Sequence, residues 1–270
     1  MNDTDYQTAV ASIPHLNLTK YLPAIPVTDI IRELELQQNK ISKFDSGVAP
    51  NTQQAQHTIN YLKSAWHGFS LIDITADGQH MIDYYSTGIN HPKVISKGVE
   101  INDSGYANTR ITNIGEEMPI TVQYILSFLE EPGRCRISRL TAGKIIDYHS
   151  HFVKAQANKN KIAKSNLNRA TLHIPLITNS DCNFLVSRLP PNNTSSADNF
   201  KPIEMEYKQH YSVGEIWMFN SYHYHRAENF SNVDRDHVLI YFDHMDNKIR
   251  PFIEQAINEY TGPHIHEAIQ

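Results

Sequence analysis

The sequence predicts a mainly β protein with flanking helices, in the α+β class. The first observation is that eight short segments after residue 134 are rich in β-branched and aromatic residues, with turn signals between them. The second is that no helical hydrophobic period occurs among these segments, which occupy about 110 residues. Helical periods are confined to the regions before and after them.

The eight predicted strands follow one another closely, apart from two longer insertions at 152–168 and 190–202. Such a succession fits a double-stranded β-helix, the architecture also called a jelly roll or cupin fold. The predicted strands are 135–141, 144–151, 169–178, 183–189, 203–212, 215–221, 223–230 and 236–244.

Helices are predicted on both sides of this core. Thr28 is a suitable N-cap for a helix to about residue 38, and Pro119 suits the first turn of a helix over 120–130. A short helix through Ile59, Leu62 and Trp66 leads into a strand at 69–74, and an amphipathic helix near 251–260 closes the chain. Residues 1–26 are predicted only as an arm over the core.

These elements divide the chain into three parts that we expect to form one structural domain. They are an N-terminal helical and mixed region, 1–133, the β-helix core, 134–246, and a C-terminal helix, 247–270. The chain is long enough for a sizeable core.

Composition limits the possible partners. The 270 residues are 40% hydrophobic and 20% charged, and the net charge of −5 with a pI near 6.3 argues against nucleic acid and anionic membranes as partners. Two cysteines are too few for a disulfide scaffold, and neither a signal peptide nor a spanning apolar run is evident. We therefore expect a cytoplasmic protein. The sequence leaves the oligomeric state open, a homodimer being one possibility.

Two histidine pairs stand out among the fifteen histidines. His149 and His151 end one predicted strand, and His223 and His225 belong to another some seventy residues later. Positions i and i+2 of a strand share a face, so both imidazoles of a pair can point to one place. Imidazole is a common ligand of redox metals, and these pairs predict a metal site inside the barrel.

Several blocks of the core resemble, in order, the aspartyl/asparaginyl β-hydroxylase and proline hydroxylase group of cupin-fold oxygenases. They are Arg-Ile-Ser-Arg-Leu-x-x-Gly at 136–143 followed by His149, Arg-Ala-Thr-Leu-His-Ile-Pro-Leu at 169–176, Gly-Glu-Ile-Trp-Met-Phe-Asn at 214–220 followed by His225 and Asn229, and Arg235 ten residues beyond His225. The resemblance covers about 110 residues well. It implies dependence on iron(II), 2-oxoglutarate and O2, and hydroxylation of a C–H bond with release of succinate and CO2.

The resemblance also implies roles for single residues. His149 and His225 would be the iron ligands, and Arg235 would bind the 5-carboxylate of oxoglutarate. Ser138 and His173 would contact the same cosubstrate, and Thr171 occupies the position of another arginine of that pocket in the family.

The third iron position departs from the family pattern. Proline hydroxylases of this group have aspartate and aspartyl hydroxylases have glycine at the position of His151. Iron would then have three histidine ligands, or two histidines and water. The expected substrate is an amino acid or an amino-acid-derived small molecule, with Arg110 as a candidate for its carboxylate. The alternatives are a three-histidine cupin dioxygenase that does not use oxoglutarate and a non-catalytic cupin that binds a ligand.

Overall fold

The computed structural model describes residues 1–45, 61–79, 81–82, 99, 108–149, 169–187, 206–219 and 223–265. Two sheets dominate this part of the chain. The larger has nine described strands and the smaller has four, and every pairing except β2 with β4 is antiparallel. The strands in chain order are β1 (His15–Asn17), β2 (Ser42–Asp45), β3 (Trp66–Asp73), β4 (Met81–Ile82), β5 (Arg110–Ile111), β6 (Cys135–Leu140), β7 (Lys144–His149), β8 (Arg169–Ile177), β9 (Cys182–Ser187), β10 (Glu206–Gln209), β11 (Trp217–Phe219), β12 (His225–Asn229) and β13 (Arg235–Asp243).

The strand order explains how the two sheets enclose an interior. The larger sheet runs β1-β11-β8-β13-β6-β3-β2-β4, with β5 paired to β3, and the smaller runs β10-β9-β12-β7. From β6 to β13 the chain crosses from one sheet to the other at every step except between β9 and β10, which are neighbours in the smaller sheet. This is the jelly-roll topology that the sequence predicts, and the mainly β fold class is confirmed.

Five described helices lie on the outer face of the larger sheet. They are α1 (Asp3–Ser12), α2 (Val27–Leu36), α3 (Asn113–Glu116), α4 (Pro119–Phe128) and α5 (Arg250–Asn258), with a 3-10 turn at Gln38–Lys40. Residues 61–65 are also helical and pack against the interior cluster. One apolar core joins buried side chains of α1, α2, α4 and α5 to alternate residues of the sheet, such as Ile137, Ile174 and Ile240. The other face of the same strands is therefore turned toward the barrel interior.

Glu33 of α2 fixes the start of α4. Its carboxylate accepts hydrogen bonds from the backbone N–H groups of Ile120 and Thr121 at 2.7 and 2.9 Å, and from the Thr121 hydroxyl at 2.6 Å. These donors would otherwise have no partner in the first turn of the helix. A buried carboxylate at a helix N-terminus is also favoured by the helix dipole.

All eight strands predicted for the core are present, and the segments fall within a few residues of the predicted bounds. Gly143 separates β6 from β7 with a φ of +69°, a conformation that glycine adopts without strain. The helices predicted at 28–38, 120–130 and 251–260 are likewise found, as α2, α4 and α5.

The prediction for residues 1–26 as a mere arm is wrong. Residues Asp3–Ser12 form a helix, and β1 pairs with β11, where His15 lies opposite Phe219. The structure also places β3 beside β6 in the larger sheet, so the jelly roll uses strands from before residue 134. The insertions at 152–168 and 190–202 lie outside the described residues, as do His151 and Asn220.

Candidate metal and cosubstrate site

His149 and His225 face each other across the β7–β12 pair. They are register partners, and their ring centroids are 4.3 Å apart with an interplanar angle of 57°. The sequence-based prediction that these two side chains come together is thus matched by their placement, and their role as metal ligands stays a proposal.

A bulge in β7 turns His149 inward. Ala227 lies opposite Ile146 and His225 lies opposite His149. Between these two pairs β12 advances by two residues and β7 by three, so β7 has one extra residue. Strict alternation would place His149 on the face opposite to Ile146, which packs in the interior. The extra residue returns the imidazole to the interior face, a use of bulges that is common beside functional sites.

Backbone carbonyls fix the tautomer of both imidazoles. The Nδ1 of His149 lies 2.8 Å from the carbonyl of Asp147, and the Nδ1 of His225 lies 2.9 Å from the carbonyl of His223. A carbonyl oxygen only accepts, so each Nδ1 carries the proton and each Nε2 has its lone pair. This is the arrangement of a histidine that binds a metal through Nε2, with its other nitrogen held by an outer partner. The two residues therefore fit a metal ion.

The described residues contain no group of three or more His, Cys, Asp or Glu side chains that could hold a metal. A complete ligand set would thus need a residue outside the described part of the chain, or water. His151 is the candidate that the sequence offers.

Arg235 is a buried cation at the start of β13. Its exposed fraction is 3%, and burial lowers its pKa to about 10. Its Nε has no hydrogen-bond partner, and its guanidinium forms no ion pair with a described residue. The neighbouring carboxylate of Asp236 is on the other face of the strand, where it binds Arg139 at 2.6 Å. A buried charge without a counterion is costly, so this position favours an anionic ligand.

Two further histidines lie beside Arg235 on the interior face. His173 of β8 and His237 of β13 approach each other through their Nδ1 atoms at 3.2 Å, and both Nε2 atoms are buried with no partner among the described residues. Burial, and then the charge of Arg235, holds the pKa of both imidazoles well below the ordinary value. They are therefore neutral at pH 7 and leave the cation uncompensated.

Tyr211 and His15 add to this neutral lining. The hydroxyl of Tyr211 lies 2.7 Å from the Nδ1 of His15, whose Nε2 is 2.9 Å from the carbonyl of Tyr207. The Nε2 of His15 must donate to that carbonyl, so its Nδ1 accepts the proton of Tyr211. Burial lowers the pKa of His15 to about 4 and raises that of Tyr211.

Aromatic rings separate the two ends of the interior. The ring of Phe219 is 4.8 Å from that of His225 and 5.1 Å from that of His173, and Phe184 contacts both histidines at 5.7 and 4.8 Å. Close-packed rings of this kind exclude water and raise the strength of electrostatic interactions around them.

The remaining predicted residues are placed differently. Ser138 and Thr171 are buried on the interior face, where Ser138 accepts a hydrogen bond from the Trp66 Nε1 at 2.8 Å and the Thr171 hydroxyl has no partner. Arg110 lies on β5 opposite Asp73, at the end of β3 beyond its pairing with β6. Its role in substrate binding stays a prediction.

Sequence reasoning missed His237, Tyr211, His15 and Arg136 as residues of the interior. For two of them a signal was available. His237 is two residues after Arg235, and Arg136 is two residues before Ser138, so strand alternation puts each on the face of a predicted site residue. His15 and Tyr211 come from a short strand and a loop, and nothing local marks them.

Together these features define a jelly-roll protein whose interior has a histidine pair and a buried arginine that forms no ion pair with a described residue. The family model described as Aspartyl/Asparaginyl beta-hydroxylase matches residues 27–245. The chain belongs to this family. No curated protein sequence matches the chain.

Solved structures that resemble the chain do so weakly. An oxidoreductase of the 2OG-Fe(II) oxygenase family from Burkholderia pseudomallei has 12% identity and a TM-score of 0.43, over 92% of this chain and 94% of its own. AviO1 from Streptomyces viridochromogenes Tue57 has 12% identity and a TM-score of 0.42, over 91% and 96%. A Pseudomonas putida prolyl-4-hydroxylase has 12% identity and a TM-score of 0.28, over 47% and 59%. In the described residues, no helix has the length and apolar character needed to cross a membrane.

Proposed function

We propose that the chain is an iron(II)- and 2-oxoglutarate-dependent oxygenase that hydroxylates a C–H bond of an amino acid or an amino-acid-derived small molecule. Succinate and CO2 would be the coproducts. Family membership supports the hydroxylase class. The observation that carries the choice of cosubstrate is Arg235, a buried guanidinium with no anionic partner in the described protein.

Iron(II) would be held by the Nε2 atoms of His149 and His225. The carbonyl partners of their Nδ1 atoms keep both rings in the metal-binding tautomer. His151 or water would complete the protein side of the site. When bound, the metal supplies the activation of O2 that the protein's own side chains cannot provide.

Arg235 would bind the 5-carboxylate of oxoglutarate. A guanidinium presents two parallel N–H groups that match the two oxygens of a carboxylate, and burial strengthens such a pair. One Nε2–H of the His173–His237 pair and the hydroxyl of Thr171 have no protein partner and could donate to the same ligand. The Tyr211 hydroxyl is held by His15 and contributes an oxygen lone pair and an apolar ring.

In this proposal one ligand would reach from Arg235 to the histidine pair. Residues 230–234 connect β12 of the smaller sheet with β13 of the larger sheet, and Asn229 fastens this turn to β6 by donating to the Leu140 carbonyl at 2.9 Å. Arg235 lies next to the turn, whereas His225 lies four residues from Asn229, roughly 13 Å along an extended strand. A five-carbon diacid is shorter than this, so the side chains of Arg235 and the two histidines would cover the rest of the distance.

The decisive experiment is a titration of 2-oxoglutarate into anaerobic protein loaded with iron(II), following the visible charge-transfer absorption of the chelate. We expect a saturable band and, with O2 and a suitable amino acid, release of succinate. Absence of any oxoglutarate-dependent band would refute the proposed cosubstrate and would favour a cupin dioxygenase that does not use it.

A further inference from the structure

We infer that Arg136 is the binding site for a carboxylate of the primary substrate. Arg136 lies on β6, and its exposed fraction is 4%. Among the described residues, its only hydrogen bond is from Nη2 to the Tyr241 hydroxyl at 2.7 Å, and its Nε is buried with no partner. It forms no ion pair there, since the nearby Asp73 binds Arg134. The inference rests on the proposed function, because it names the class of substrate for that site.

The need for an anion follows from the cost of the unpaired charge. Taking a guanidinium out of water is unfavourable unless a counterion and hydrogen bonds replace the lost hydration. Burial indeed lowers the pKa of Arg136. A single neutral hydroxyl satisfies only one of the five N–H donors of an arginine. Two aromatic rings help, but cation–π contacts replace only part of the lost hydration.

The strand registers give the level of Arg136 along the interior, counted from the turn between β12 and β13. Arg136 pairs with Leu239, which lies four residues after Arg235 on β13. His225 lies four residues before Asn229 on β12, and the turn between these strands joins the two sheets. Leu239 and His225 are thus at similar distances from the same turn, and Arg136 lies at their level. Arg235 is about 13 Å away along the sheet, so the two arginines start from different levels of the interior.

The surroundings of Arg136 select a planar monoanion. Its guanidinium carbon lies 4.8 Å from the centre of the Trp66 ring and 5.1 Å from that of Tyr241. Tyr241 takes up one N–H of the guanidinium through its hydroxyl, and the buried Nε–H is left for a ligand. A carboxylate approaches a guanidinium along its edge, where it forms two parallel hydrogen bonds. A dianionic phosphate would need a second uncompensated cation, whereas the adjacent Arg134 is already neutralised by Asp73.

The test uses the full chain with Trp217→Phe, so that Trp66 is the only tryptophan left and reports on ligands at Arg136. The probes are the L-amino acids and their α-carboxamides, added anaerobically to the metal-free protein and to protein loaded with iron(II) and oxoglutarate. We expect at least one acid to change the Trp66 emission in a saturable way, and its amide to bind at least about tenfold more weakly, since the amide loses a charge-assisted pair.

Three variants distinguish this role from others. Arg136→Met should abolish the preference for acid over amide, Arg136→Lys should keep part of it, and the matched control Arg139→Lys on the opposite face of β6 should keep all of it. None should move the midpoint of oxoglutarate binding. Circular dichroism and melting temperature check that each variant is folded, with Arg136→Lys as the milder change.

Other outcomes would overturn the inference. One is equal binding of the acids and their amides. Another is that no acid changes the Trp66 emission in a saturable way in either form of the protein. The third is loss of oxoglutarate binding in Arg136→Met, which would make Arg136 part of the cosubstrate site. Failure of the proposed function has a different signature, because then the oxoglutarate-dependent absorption itself is missing in the unmodified protein.

Discussion

The Nδ1 atom of His173 lies 3.2 Å from the Nδ1 atom of His237. Two neutral imidazoles can share this contact only if one Nδ1 donates a proton and the other accepts it. The accepting ring must then carry its own proton on Nε2. Both Nε2 atoms are buried without a partner, so the pair presents one N–H donor toward the interior beside Arg235.

This arrangement predicts coupled effects on oxoglutarate binding. His173→Phe and His237→Phe should each weaken it about 2- to 13-fold, the range of a neutral hydrogen bond worth about 0.5–1.5 kcal/mol. The double variant should cost less than the product of the two, because both side chains share a single donor. Anaerobic titration of all four proteins measures this, and strictly multiplicative effects would contradict the shared proton.

Removal of the guanidinium at position 235 should weaken oxoglutarate more strongly. A charge-assisted pair is worth about 1.5–3 kcal/mol, so Arg235→Ala should raise the dissociation constant roughly 10- to 150-fold or more. Arg235→Lys keeps the charge but loses the planar two-pronged fit. Its dissociation constant for oxoglutarate should lie between those of the unmodified protein and Arg235→Ala. Iron binding should change little in either.

The matched control for position 235 is Arg139→Lys, which alters an arginine on the outer face that is bound to the neighbouring Asp236. It should leave the oxoglutarate midpoint where it is. A midpoint in Arg235→Ala equal to that of the unmodified protein would place the carboxylate elsewhere.

Loss of either facing imidazole should abolish metal binding. His149→Ala and His225→Ala each leave one ligand of the pair, so anaerobic equilibrium dialysis should show near-complete loss of iron(II). His223→Ala is the control, since it leaves in place the backbone carbonyl that orients His225. Normal iron content in both ligand variants would show that the metal is bound at another place.

The fold was largely predictable because its signals are local. Each core strand has its own β-branched and aromatic residues and its own turn, and Gly143 and Gly214 adopt the positive φ that their turns require. The strand at His15–Asn17 was missed because three residues carry no period, and only pairing with the distant β11 makes them a strand.

The site was predictable only in part for a similar reason. The spacing of the histidine pairs and the family resemblance together indicate His149 and His225, and the resemblance alone indicates Arg235. The inward orientation of His149 depends on a bulge of β7 against β12, and the sequence pattern of 144–149 does not predict this bulge. Arg136 and His237 looked like ordinary strand residues. Their burial without a counterion becomes evident only when β6, β8 and β13 lie side by side.

The third ligand position can be tested by substitution at His151. If its imidazole binds the metal, His151→Ala should lower iron(II) affinity while leaving the His149–His225 pair able to bind weakly, and His151→Asp should restore affinity by supplying a carboxylate in the family pattern. The measurement is competitive chelation with iron(II). Equal affinities for His151→Ala and the unmodified protein would mean that water fills this position.

The last prediction concerns acid stability and His244. This histidine follows β13 and packs against Tyr6 of α1 with ring centroids 5.5 Å apart, and its Nδ1 is buried with no partner. Burial, with a smaller contribution from the charge of Arg250, lowers its pKa from 6.5 to about 4. His244 is therefore protonated near pH 6.5 in the unfolded chain and only near pH 4 in the folded protein.

Stability contributed by the neutral form is thus complete above pH 6.5 and is lost as the pH falls toward 4, by about 2 kcal/mol at pH 5. His244→Leu removes this pH-dependent contribution to the free energy of unfolding without breaking a hydrogen bond of the side chain. In urea unfolding at pH 7.5 and pH 5, the variant should lose about 2 kcal/mol less than the unmodified protein. Both still become less stable in acid, because His15, His173 and His237 are also buried in their neutral forms.

The control is His264→Leu, which alters an exposed histidine. Between pH 7.5 and pH 5 this control should lose as much stability as the unmodified protein. The same loss in His244→Leu as in the control would show that His244 does not limit stability in acid.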